Sequence, residues 1–366
     1  MRKLNIFIRV CIAILLALGI IYLSSLVPFI FTPLLSFFSI IITPLLISGF
    51  FYYLLRPLIS YLERKKLNRT ISILLLYAIS FVLLVFFFIG VWPALKTQLQ
   101  NLAHNAPYLI SSTNKHIDQL MQNELVASWV PEDINISEKI TEYLNKGFIW
   151  VSNSVTGMFG FLSNFAIVLF TFPIMLFYML KEGSKFKNSL VRLFPARYRE
   201  DGRSVLDDID QALSDFIVGR VIVNVALGVL MYIGFLIIGL PYALLLTVIA
   251  VLMNFIPFFG AILSSIPIVI VGLIESPATA IWSLIIILAA QQVQDNLIAP
   301  YVFGKKLSIH PLTTIVLVLV GGDIAGIVGF LLVIPVYVIV KIVAVKMYEL
   351  YIKTRGSKEE TPPAQP

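Results

Sequence analysis

The run Gln291-Gln292-Val293-Gln294-Asp295-Asn296, which closes at Pro300, sets four amides and a carboxylate into an otherwise apolar third of the chain. On a helix, Gln291, Gln294 and Asp295 share one face through i+3 and i+4 spacing, while Gln292 and Asn296 share another. Such groups can bind a polar solute or an ion. Near the end of a membrane span they are costly unless they meet a partner, water or a ligand. The plainer alternative is that they sit at the membrane interface and satisfy loop backbone. Asp323, directly after Gly321-Gly322, could bind a cation or carry a proton at a helix break, or could cap the helix that follows. Asn254, just before Ile256-Pro257, could hydrogen-bond a polar solute or satisfy the carbonyls that Pro257 leaves free.

The elements that must position these groups are membrane helices. Hydrophobic residues make up 59% of the 366 and charged residues 13%, and the mean hydropathy is +0.93. A soluble domain carries about a quarter charged residues, so this chain has too little polar surface to coat a soluble globule. Uncharged helical candidates run Val10 to Phe31, Leu34 to Leu55, Ile71 to Trp92, Val155 to Leu180, Val221 to Leu240 and Ala278 to about Ala299. The first continues too far for a signal-peptide core and reads as a retained helix.

Two further apolar stretches are each too long for one straight crossing. Tyr242 to Ile274 is broken by Pro257-Phe258-Phe259-Gly260, and Ile309 to Val340 by Gly321-Gly322-Asp323. As a single helix either would reach roughly 50 Å, against a hydrocarbon core about 30 Å thick. A break at membrane depth frees backbone groups, which is tolerable only where they face protein or a water-filled cavity. Paired broken segments are therefore a sequence pointer to a transport site. The expected fold is an all-α polytopic membrane protein, with six to eight transmembrane helices and two broken or re-entrant helical hairpins in the C-terminal third.

Orientation follows lysine and arginine. Basic residues crowd the segments from Arg56 to Arg69 and from Lys181 to Arg220, which should be cytoplasmic, and they thin out between Pro93 and Ser154, which should lie outside. If both broken segments cross fully, there are eight spans, Lys305 and Lys306 lie outside, and the inside-to-outside basic tally is 21 to 6. If both are hairpins, there are six spans, these lysines are cytoplasmic, and the tally is 23 to 4. The charge count leans to the hairpins, and both arrangements leave each terminus in the cytoplasm. The net charge of +7 is explained by these loops, so no nucleic-acid partner is expected.

The chain divides into three spans (1–92), an external amphipathic arm (93–154), a fourth span (155–180), a basic cytoplasmic helical loop (181–216), a core with broken helices (217–345) and a disordered cytoplasmic tail (346–366). Val205, Ile209, Leu213 and Phe216 keep helical spacing, which predicts a helix entering the fifth span. Arg220 is expected to snorkel to the cytoplasmic surface, and Glu275 with Pro277 reads as a turn. His104, His116 and His310 read as exposed or structural. Cys11 is the single thiol. There is no phosphate loop, nucleophile elbow, dinucleotide turn or paired metal-ligand spacing, so neither an enzyme, a bound cofactor nor an ATP motor is expected.

The order of motifs resembles a known family. Phe216-Ile217-Val218-Gly219-Arg220 is followed by Gly239-Leu240-Pro241-Tyr242-Ala243, then by Asn254-Phe255-Ile256-Pro257-Phe258-Phe259-Gly260. Asp295-Asn296-Leu297-Ile298-Ala299-Pro300, Gly304 and His310-Pro311-Leu312 come next. This pattern is similar to the autoinducer-2 exporter (AI-2E) family of bacterial membrane transporters, most strongly from about Asp201 to Val345. The resemblance implies a homo-oligomer, pentameric, in the bacterial plasma membrane, exporting a small polar signalling molecule. Related members are described as sodium or lithium/proton antiporters. Asp295 stands where many relatives have glutamate, and Arg220 where glutamine is common, which puts autoinducer-2 itself in question as the solute.

On this reading the protein is a secondary transporter. Asn254, Gln291, Gln294, Asp295 and Asn296 are expected to contact a small polar solute, with Asp323 as carrier of a coupling sodium ion or proton. Pro257, Gly260, Pro300, Gly321 and Gly322 supply the geometry of the breaks. The alternative within the class is cation/proton antiport; the alternative outside it is a membrane scaffold that moves nothing.

Overall fold

The computed structural model describes residues 28–102, 170–303 and 309–359, with a few isolated positions elsewhere, and all regular structure among the described residues is helical. The elements are α1 (Pro28–Arg64), α2 (Arg69–Phe86), α3 (residues 170–193), α4 (Arg199–Ile237), α5 (Ala243–Met253), α6 (Phe259–Glu275), α7 (Pro277–Val293), α8 (Ala299–Phe303) and α9 (Pro311–Glu359). Among the described residues, five stretches are long and apolar enough to cross a membrane: Ile41–Arg64, Arg69–Leu102, Ala196–Ile237, Pro277–Phe303 and Gly329–Leu350. The outward side chains of α2 are large and apolar; Phe81 is 67% exposed and Ile89 is 74% exposed. Such a surface suits hydrocarbon rather than water. Most of the expected first span, residues 155–169 of the expected fourth, and most of the expected external arm fall outside the described residues.

Two cores organise the described helices. Ile59 of α1, Ile73 and Leu76 of α2, and Leu176 and Leu180 of α3 form one. It is pinned by Tyr77 donating to the Pro173 carbonyl at 2.7 Å and Arg69 Nε donating to the Leu180 carbonyl at 2.7 Å. The second core gathers Leu227, Met231 and Phe235 of α4, Leu246 and Ala250 of α5, Ile268 and Val271 of α6, and Ile287 and Ala290 of α7. Helix α2 passes through a π-turn at Phe87–Val91 and stays helical to Leu102, so the third span runs ten residues beyond its expected end at Trp92. That extension brings Leu95 and Leu102 into the second core. Gln98 Oε1 accepts the Leu245 amide at 2.9 Å, and Asn105 Nδ2 donates to the Tyr242 hydroxyl at 3.1 Å. The start of the stretch expected to form the external arm thus packs on its own chain, at the base of α5.

Both broken segments fold back on themselves. Helices α5 and α6 have 11 and 17 residues, or about 16 and 25 Å, so neither alone spans the bilayer. The chain reverses between them at Asn254–Phe258, with Phe258 at φ 65. Ile268 and Val271 consequently return to the level of Ala243 and Leu246. Pro257 lies in this turn as expected. Gly260 is needed for closure, since a Cβ there would overlap the Met253 carbonyl.

The second reversal is not where the sequence places it. Gly321 and Gly322 are helical, and the chain turns at Ala325 (φ −136, ψ 18) and Gly326 (φ 56, ψ −134). The glycine pair signals a break because glycine disfavours helix, but here its missing Cβ serves packing. The Gly321 carbonyl lies against Gly329 so closely that a Cβ on Gly329 would overlap it, and a Cβ on Gly322 would strike the Phe330 ring. The turn itself needs the positive φ of Gly326.

Helix α4 is continuous from the basic loop into the expected fifth span. Ser276 ends α6 and caps α7, its Oγ accepting the Thr279 amide at 3.0 Å, with Pro277 in the first turn. Pro300 has no N–H to continue the α-ladder. The turn before it widens into a π-turn at Gln294–Ile298, where the Ala299 amide donates to the Gln294 carbonyl. Pro300 therefore bends the ladder without ending the helix, which continues through Phe303. Helix α9 runs to Glu359, into the stretch expected to be disordered; its polar residues still allow helix, as in the Lys346–Glu349 ion pair at 3.6 Å.

The register of α7 and α8 along α4 bears on the two topologies. Ile286 lies against Gly234 and Phe303 packs over Gly219, so α7 and α8 descend antiparallel to α4 towards its basic half. Ile309 shares a groove with Asp208 and Gln211 of that same half. Residues 303 and 309 flank Lys305 and Lys306, which lie outside the described residues, and both pack at the end of α4 expected in the cytoplasm. That register fits the hairpin arrangement better than two full crossings.

Candidate functional site

The turn between α5 and α6 delivers Asn254 into a buried polar cluster. Asn254 is 6% exposed, Asn224 of α4 is 1% exposed and Gln294 is 4% exposed. Asn254 Nδ2 donates to Asn224 Oδ1 at 2.9 Å and to Gln294 Oε1 at 2.9 Å. Gln291 Nε2 donates to Asn254 Oδ1 at 3.5 Å. Gln294 Nε2 donates to Gln291 Oε1 at 3.3 Å and to Asp295 Oδ1 at 3.0 Å. Arg220 donates through a short hydrogen bond from its terminal nitrogen to the Asn254 carbonyl. That carbonyl belongs to the turn, so α4 supplies a partner for backbone that the reversal frees.

Each contributor owes its position to local chain chemistry. The π-turn begins at Gln294 and carries Gln291, Gln294 and Asp295 along one side of the α7 exit, on the face that i+3 and i+4 spacing predicts. Arg220 and Asn224 are one helical turn apart on α4 and so look the same way. In hydrocarbon surroundings an unpaired amide or guanidinium is costly, so these mutual hydrogen bonds fix the hairpin tip against two helices.

Of the expected site residues, Asn254, Gln291, Gln294 and Asp295 are brought together. Asn296 is not: its Nδ2 donates to Gln292 Oε1 at 2.6 Å on an exposed face, the second face of the sequence reading. Asp323 is not either. It is exposed in the last turn before the α9 reversal, and among the described residues its side chain has no hydrogen bond or ion pair. Because the helix continues through it, it is not the N-cap of a following half-helix.

Two contributors are additions to the sequence reading. Arg220 does not snorkel outward but reaches the tip of the first hairpin, where it meets the Asn254 carbonyl. Asn224 was not a candidate at all. Its signal was available, as it is the one amide between Val221 and Leu240 and it stands four residues after Arg220. The basic half of α4 is tied separately to the helices of the first core, through Arg56 and Asp210 at 2.6 Å and an ion pair of Lys187 with Asp207.

The sequence pattern of the AI-2E family transporter matches residues 11–349. The chain is 36% identical over 332 residues to "Putative transport protein YueF" of Bacillus subtilis, covering 90% of each chain. It is 29% identical to "Putative transport protein YrrI" of the same organism, over 94% of this chain and 96% of that one. It is 28% identical to "Putative permease PerM" of Escherichia coli K12, over 84% and 87%.

Proposed function

Because the chain belongs to the AI-2E transporter family, we propose that it is a secondary transporter that exports a small polar solute, autoinducer-2-like in size and polarity, across the bacterial plasma membrane without ATP. Its role in membrane transport follows from that membership. The observation that carries the finer reading is the tip of the first hairpin. A broken helix holds Asn254 among Gln291, Gln294 and Arg220 at a depth where polar groups are expensive. Solute binding there would replace some of these mutual hydrogen bonds, and rocking of α5 and α6 against α4 and α7 would expose the site to alternate sides. The working form is a homo-oligomer, pentameric, embedded in lipid with both termini in the cytoplasm.

The test is reconstitution of the full chain in liposomes with a labelled polar solute inside. Solute efflux that Asn254→Ala removes supports the reading. A scaffold would give no flux from the purified protein, and that result would end it.

Cation/proton antiport is the second reading, favoured by two exposed carboxylates, Asp295 and Asp323, one near each hairpin tip. It requires that Asp295→Asn or Asp323→Asn abolish proton movement driven by sodium or lithium, followed with a pH-sensitive dye in the same vesicles.

A further inference from the structure

The hydrogen bonds around Asn254 are directional, and their direction is set at one end by a carboxylate. An ionised Asp295 can only accept. Gln294 must therefore turn its Nε2 towards Asp295, which leaves Gln294 Oε1 for Asn254. Asn254 then presents Nδ2, which also meets Asn224 Oδ1. Asn224 is left with its own Nδ2 pointing elsewhere, buried and without a protein partner. Flipping Asn254, Gln291 or Gln294 would set oxygen against oxygen, and flipping Asn224 would set its Nδ2 against the Nδ2 of Asn254.

One turn earlier on the same helix, Arg220 spends a terminal nitrogen on the Asn254 carbonyl, and its Nε is also buried without a protein partner. Every side-chain amide oxygen of the relay, the Asn254 carbonyl and one Asp295 oxygen already accept. The surplus on this face of α4 is two N–H donors, one of them on a permanent cation. A buried donor left unmet is expensive, and an arginine at membrane depth more so.

We propose that Arg220 Nε and Asn224 Nδ2 are the recognition donors for an oxyanion, so that the solute carries a carboxylate or phosphate group. This rests on the proposed transport role of the site and narrows its solute to small anions. The guanidinium and amide form a fork four residues apart, suited to two acceptor oxygens of one anionic group. Asp295 is a positioning residue here: it fixes the amide relay that leaves Asn224 Nδ2 free and partly offsets the Arg220 charge when the site is empty. A sodium ion is disfavoured on this face, because what is unspent there is donors.

The experiment measures uptake of radiolabelled lactate, inorganic phosphate and neutral ribose into liposomes holding the full chain, with sodium kept constant. Lactate and phosphate stand separately for the two anion chemistries. Uptake of at least one of them is expected, and Arg220→Gln should lower it by about tenfold or more, as loss of a charged hydrogen bond does. Arg220→Lys should not rescue it, because an ammonium has no donor at the Nε position. Asn224→Asp should remove uptake by setting a carboxylate against the anion. Asp295→Asn should raise KM more than it lowers the maximal rate, a split that a merely structural loss would not give. Gln292→Ala, on the outer face, controls for insertion and folding. If neither anion enters, or if Arg220→Gln leaves anion uptake unchanged, the assignment is overturned. Ribose uptake that is lost in Asn254→Ala yet kept in Arg220→Gln would overturn it while leaving the transport reading intact; no uptake of any solute would sink both.

Discussion

The two hairpins use one device for different ends. In the first, α5 and α6 reverse around a carbonyl that Arg220 satisfies and an amide that three further side chains engage. In the second, the arms of α9 close by backbone approach of Gly321 to Gly329, and the acidic side chain near its tip stays exposed. The difference shows that a break in a membrane helix is not by itself a binding site. What makes the first tip a candidate is that neighbouring helices bring polar side chains to it, whereas the second tip presents a single carboxylate.

Substitutions at the closing glycines should have the largest effects and test what the hairpins share. Gly260→Ala and Gly329→Ala would each drive a methyl group into backbone carbonyl, which cannot move as a side-chain end can. Overpacking of this kind costs about 1–3 kcal/mol or more. Loss of the monodisperse peak in detergent, or a fall in melting temperature well beyond that of Gly49→Ala, where no atom lies near, would be the expected readout.

The next effect separates the hairpins. Asn254→Ala strands several buried partners and should cost about 1–3 kcal/mol, whereas Asp323→Asn, at an exposed position, should stay within about 0.5 kcal/mol. Melting curves of the two variants under one condition decide it. Equal losses would mean that the second tip is as tightly held as the first.

Ser276→Ala, at the junction of α6 and α7, should cost about 1 kcal/mol through loss of the cap on the Thr279 amide; Ser276→Asp should restore it. Arg56→Ala should have a small effect on stability, at most about 1 kcal/mol, because the pair with Asp210 is partly exposed. Its melting temperature should also fall less in high salt than in low salt.

Much of this fold is legible in the residues. Lengths and apolar runs give the helices, and the excess of 33 apolar residues over one crossing gives the first fold-back. Glu275 with Pro277 marks the turn between α6 and α7, and the i+3 and i+4 spacing separates Gln291, Gln294 and Asp295 from Gln292 and Asn296. The second turn was misplaced because glycine has two uses that look alike in a sequence. Gly321 and Gly322 serve close packing, and only Gly326 serves a positive φ. Arg220 was assigned to the surface because a basic residue at the edge of an apolar run ordinarily snorkels, and that rule cannot know that a carbonyl from a distant turn lies within reach.

The sequence by itself determined that this chain is helical, that it crosses a membrane several times, and that two of its segments cannot cross straight, since these follow from hydrophobic length and local backbone preference. It also carries the motifs that mark the family. Which polar groups meet, and which donors remain unspent, was decided only by the tertiary structure. Arg220, Asn224, Asn254 and Gln294 are separated by 30 to 40 residues along the chain where they bond across helices. Their hydrogen bonds depend on the register of α4, α7 and a hairpin tip, which packing fixes and no local pattern encodes.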